Sequence, residues 1–101
     1  MDKIAKEVWC AALRSGEFEQ DVGCLAPPDG GFCCLGVAMK VFPALEDTFE
    51  QSITKWPLCH YLTPGACALL GLSHDTMFQL ASLNDSGRSF KEIAAVIEEF
   101  A

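Results

Sequence analysis

Apolar residues recur through most of this chain at the spacing of a helical face. Ile4, Ala5, Val8, Trp9, Ala12 and Leu13 form the first such stripe, with Asp2 placed to cap it and Gly16 to stop it in the left-handed conformation. From Cys34 to Phe42 the chain is apolar nearly all round, which predicts a central, buried helix ended by Pro43. Gly36 inside it lowers helix propensity by roughly 1 kcal/mol against alanine, so a close helix-to-helix crossing is expected there.

Three more helices are marked by their end signals. Thr63 caps one that has Pro64 at its first position and Leu62 as a staple residue, and Gly71 closes it. Ser73 caps the next, with Asp75 in its first turn and Met77, Leu80, Ala81 and Leu83 as its buried stripe, up to the turn Asn84-Asp85-Ser86-Gly87. Ser89 with Glu92 forms a capping box for the last, whose stripe is Phe90, Ile93, Ala94, Val96 and Ile97.

Between the first two helices the pattern changes. Glu17 to Val22 alternates polar and apolar, and Pro27-Pro28-Asp29-Gly30-Gly31 is a turn, so a short hairpin of Cys24–Ala26 against Gly31–Cys33 is expected. Residues 44–61 carry Glu46, Asp47 and Glu50 among Phe49, Ile53 and Trp56. They read as a surface loop with a helical turn, where function varies. The expected fold is mainly α with a minor β part: five short helices and one small hairpin, in a single domain over residues 1–101. Its core is expected from Val8, Trp9, Leu13, Leu35, Val37, Val41, Leu69, Leu70, Leu80, Leu83, Phe90, Ile93 and Ile97.

Composition narrows the chemistry. No apolar run reaches the ~18 residues that suggest a membrane span, and Met1–Glu7 is charged rather than signal-like, so a cytoplasmic protein is expected. Six cysteines then read as packed thiols rather than a disulfide framework, since Cys33 and Cys34 are neighbours that could bond only through a strained ring. There is no C-x-x-C, and Cys59-His60 is adjacent rather than spaced for one metal ion, so neither metal nor cofactor is expected. Fourteen acidic against seven basic residues give a net charge of −7, which argues against direct nucleic-acid binding and favours either solubility or a basic protein surface as partner. The last three helices have helix-turn-helix spacing, but the final one carries Lys91, Glu92, Glu98 and Glu99, a surface that would repel DNA.

The string Trp9-x-x-Ala12-Leu13-Arg14-Ser15-Gly16-x-Phe18-x-Gln20-x-x-Gly23-x-Leu25, then Phe32-Cys33-Cys34-Leu35-Gly36-Val37, then Leu62-x-Pro64 and Leu69-x-Gly71-Leu72, then Leu83-Asn84-Asp85-x-Gly87-x-Ser89-Phe90-x-Glu92-Ile93-Ala94-x-x-Ile97 resembles a group of small hypothetical proteins encoded by phages and prophages. The resemblance covers most of the chain outside 44–61. It implies a phage accessory protein acting in a bacterial cell and carries no activity with it. This chain departs by a shortened middle segment and low Lys and Arg content.

Three functions follow as expectations. The first is a non-enzymatic protein that inhibits a host defence or nucleic-acid-handling complex through its acidic surface, with Glu46, Asp47, Glu50 and Trp56 at the interface. The second is a small-molecule or nucleotide-signal binder using Trp9, Arg14, Asn84, Asp85 and Arg88 around a helix N-terminus, with a homodimer interface as one setting for the pocket. On a purely architectural reading, Arg14 would instead pair with Asp85, and Asn84 would satisfy a helix end. The third is a cysteine enzyme with Cys34 as nucleophile and His60 or His74 as base; since nothing in the sequence pairs them, no catalytic residue is assigned.

Overall fold

Short polar side chains start four of the five α-helices described by the computed structural model, which covers residues 1–27, 30–49 and 59–101. Helix α1 spans Lys3–Ser15, and the Asp2 carboxylate accepts the Ala5 N–H at 2.9 Å. Helix α2 spans Cys34–Val41, and a 3-10 segment, Pro43–Phe49, follows it directly. Helix α3 (Pro64–Leu70) begins at Thr63, α4 (His74–Asp85) at Ser73, and α5 (Phe90–Phe100) at the capping box of Ser89 and Glu92. Each cap supplies an acceptor for a backbone donor that the helix itself leaves unpaired.

Two helices stop in the same way. The Leu72 N–H reaches back to Cys67 C=O while Gly71 N–H bonds Ala68 C=O, and Arg88 N–H reaches Leu83 C=O while Gly87 N–H bonds Asn84 C=O. Both are Schellman closures. Each needs a left-handed residue just past the helix, supplied by Gly71 at φ 68° and Gly87 at φ 94°.

The expected hairpin does not form. Leu25 N–H donates to Cys59 C=O at 2.7 Å, so residues 24–26 are tied to the far end of the middle segment. Phe32 spends its backbone groups elsewhere: its N–H goes to Glu19 C=O and its C=O accepts from Asp21 N–H, forming one isolated parallel bridge between Gln20 and Phe32. No strand is present among the described residues, and the fold is mainly helical.

The core gathers Trp9, Leu25, Leu35, Val37, Leu80, Ile93 and Ile97, all fully buried. Helix α1 packs chiefly on α5 and also on α2; α2 also meets α4 and the 3-10 segment. Two expected core residues lie outside: Val8 is 42% exposed and Leu69 60%. In α1 the buried face is Trp9, Cys10 and Leu13, because the Cys10 thiol points at α5 and contacts Ala94 C=O; Ile4 and Val8 are turned to water. In α3 the packed face is Ala66, Cys67 and Leu70. Val41 and Leu83 are half-buried.

Gly36 does permit a close approach, but to a loop rather than a helix. A β-carbon there would lie 1.7 Å from the Leu25 carbonyl oxygen. The backbone of residue 25 therefore rests directly on α2, which holds this part of the loop against the core.

Candidate functional site

Asn84 is the only buried polar or charged side chain among the described residues, and it is fully enclosed. It lies in the last turn of α4, where the burial of Leu80 and Ala81 carries the same face inward. Its Oδ1 accepts the Cys34 N–H and the Gln20 Nε2–H, both at 3.1 Å, and its Nδ2 donates to Asp21 C=O at 2.8 Å. Gln20 extends the junction: its Nε2 also donates to Arg88 C=O, and its Oε1 accepts the Phe90 N–H at 3.2 Å. One turn into the core, the Trp9 indole N–H donates to Cys34 C=O at 2.9 Å.

Local sequence accounts for why these groups meet. Helix α2 begins at Cys33 without any side-chain cap, so the Cys34 N–H is an orphan donor at a buried helix start. Asn84 supplies the acceptor from 50 residues away. Helix α5 starts with Phe90 N–H similarly turned to Gln20. Both inner helix starts are thus capped by tertiary amides, and no buried side-chain nitrogen or oxygen is left without a partner among the described residues.

The residues expected to bind a ligand divide into two sets. Trp9 and Asn84 are in the packed interior, while Arg14, Asp85 and Arg88 are on the surface. Arg14 pairs with Glu98 of α5 rather than with Asp85, which instead accepts the Gly23 N–H at 3.1 Å. Arg88 pairs with Glu92 at 3.2 Å, one turn into α5. The Arg14 hydrogen bond holds the Glu98 carboxyl below its ordinary range. The Ser89 N–H, then Arg88, do the same for Glu92. Arg88 borders a hollow of about 350 Å³ together with Leu83, Ile93 and Val96.

Of the expected interface residues, Glu46 and Asp47 are exposed on the 3-10 segment, whose Leu45 and Phe49 are buried beneath them. Glu50 and Trp56 lie outside the described residues.

The thiols are set for packing. None of the six cysteines is in a disulfide. Burial pushes the Cys33 thiol up to about 11 and Cys34 well above its ordinary value. The Cys34 Sγ contacts Leu80 C=O at 3.5 Å, a carbonyl that offers a thiolate no stabilisation. His60 directs its ring Nδ1 at Gly23 C=O, and His74 is exposed at the first position of α4. Gln20 stands in the resemblance string, but its part in the junction is not legible there: it sits in the alternating stretch Glu17–Val22, and no local signal marks a side chain that bonds residues 84, 88 and 90.

A family model described as a domain of unknown function (DUF8296) matches residues 1–62. That span holds Trp9, Gln20, Asp21 and Cys34, whereas Asn84 lies beyond it. No curated protein and no solved structure matches the chain.

Proposed function

Given a chain that belongs to the family described as a domain of unknown function (DUF8296), we propose a non-enzymatic binding protein that acts by contact between its acidic exterior and a basic surface on another protein. In the setting that the resemblance implies, it is a phage accessory protein, and the partner belongs to a host defence or nucleic-acid-handling complex. The observation that carries this reading is the use made of the signature. Trp9, Gln20, Cys34 and Asn84 are engaged with one another inside the fold, so what remains for a partner is the surface. That surface carries the net charge of −7, with Arg14 and Arg88 already paired to glutamates and Glu46 and Asp47 open to solvent.

The test is capture from bacterial lysate at graded salt, comparing the protein with its Glu46→Lys/Asp47→Lys variant. A basic protein should be retained at low salt and released steeply as ionic strength passes ~0.1 M, where the screening length is about 10 Å. The variant should retain less of it. Retention that salt does not alter contradicts the reading.

A further inference from the structure

We propose that the groove between α4 and α5 is a docking site for a basic amphipathic helix of the partner; the inference rests on the contact function proposed above and gives it a location. Two hollows run along these helices and share Leu83 and Val96 as their floor. One, of about 350 Å³, ends at Arg88 and Glu92; the other, of about 530 Å³, ends at Gln79 and Phe100. The stretch of α5 from Glu92 to Phe100 is ~12 Å long at the helical rise, enough to seat about two turns of a docked helix. Phe100 is 70% exposed at one end, an apolar side chain that a partner would cover.

Charge selects the occupant. A net charge of −7 repels a second copy of this chain, a nucleic acid and an anionic bilayer, three occupants that an apolar groove otherwise admits. At the Arg88 end the Arg88–Glu92 pair is internally neutral, with Lys91 exposed beside it. At the Phe100 end, Glu99 follows Ala95 by one helical turn and Asp75 precedes Gln79 by one turn, so both exposed carboxylates belong to the groove side of their helices. A helix with apolar residues at i, i+3, i+4 and i+7 would cover Leu83, Val96 and Phe100, and its Lys or Arg would meet Glu99 and Asp75.

The probe is a synthetic leucine–lysine peptide with that spacing. It is compared with a peptide of the same composition and scrambled spacing, and with a leucine–glutamate analogue. Binding is followed by fluorescence anisotropy and by backbone amide shifts of the protein. The patterned lysine peptide should bind best and shift amides of α4 and α5. Phe100→Ser and Glu99→Lys, both at exposed positions, should each weaken it at least ~10-fold, about 1.4 kcal/mol. Equal affinity for the scrambled peptide, or no effect of Phe100→Ser, overturns the groove. Shifts confined to Leu45–Phe49 overturn the groove while supporting the acidic-contact reading. No binding of either lysine peptide counts against both. Self-association abolished by Phe100→Ser would assign the groove to a second copy and overturn the proposal.

Discussion

The Asn84 carboxamide caps α2: its Oδ1 accepts the Cys34 N–H at 3.1 Å, where Cys33 provides no side-chain acceptor. Replacing Asn84 with alanine strands the buried Cys34 N–H and leaves Asp21 C=O and the Gln20 amide, both half-buried, each short of one partner. An unsatisfied buried group costs about 1–3 kcal/mol, so Asn84→Ala should lose about 2–3 kcal/mol in urea unfolding. Asn84→Asp keeps one acceptor but turns a buried carboxylate toward the Asp21 carbonyl, and should lose more at neutral pH than at acid pH. A loss below about 1 kcal/mol for Asn84→Ala would mean the junction is dispensable.

Gly36→Ala separates close packing from helix propensity. Propensity alone favours alanine by roughly 1 kcal/mol. Against it stands the Leu25 carbonyl, 1.7 Å from the new methyl and part of the backbone, so the loop must move. The variant should lose about 3 kcal/mol, lowering Tm by more than about 10 °C in a domain of this size. Gly65→Ala is the matched control: the atoms nearest its methyl would be the Thr48 side chain at 3.4 Å and Thr63 Oγ1 at 3.9 Å, ordinary contacts, and thermal melting should show no loss.

Thiol accessibility gives an order of labelling. Cys24 is half-buried, whereas Cys33 and Cys34 are buried with thiols raised by desolvation, to about 11 at Cys33. A time course with iodoacetamide at neutral pH, read by peptide mass spectrometry, should modify Cys24 well before Cys33 and Cys34. Rapid, selective labelling of Cys34 would revive a nucleophilic role for it.

Acid should weaken the α1–α5 contact. The Arg14 hydrogen bond lowers the Glu98 carboxyl from its ordinary value of 4.5. A carboxyl depressed in the folded state contributes stability that is complete above its unfolded value and is lost as pH falls through the folded one. Urea midpoints should therefore drop below about pH 4.5, with a shallower decline in Glu98→Gln. An identical acid limb in both proteins would show that the pair is too solvent-screened to register.

The helix ends were legible because they obey local rules. Asp2, Thr63, Ser73 and the Ser89–Glu92 box each bond a backbone donor within three residues, and Gly16, Gly71 and Gly87 each have positive φ. What depends on distant partners was not legible. Asn84 stands beside Asp85, Ser86 and Gly87, so its composition reads as turn; its burial depends on residues 20, 21 and 34, which the fold alone brings near. The hairpin expectation failed for a related reason. The turn signal at residues 27–31 suggested that Cys24–Ala26 pairs with Gly31–Cys33, but the partner of the Leu25 N–H is Cys59, far along the chain. Helix α1 was read one step round its axis, since Ile4 and Val8 look more apolar than Cys10, while contact with α5 turns Cys10 inward.

The most direct test of the claim that the signature is engaged inside the fold is native-state hydrogen exchange at the Cys34 amide, the donor that Asn84 accepts. Exchange there should occur only through global unfolding, with an opening free energy that matches urea unfolding and falls with denaturant in the same way. Exchange that is independent of denaturant, at an opening free energy lower by about 3 kcal/mol or more, would place Asn84 at an opening site rather than a closed junction and would contradict the account.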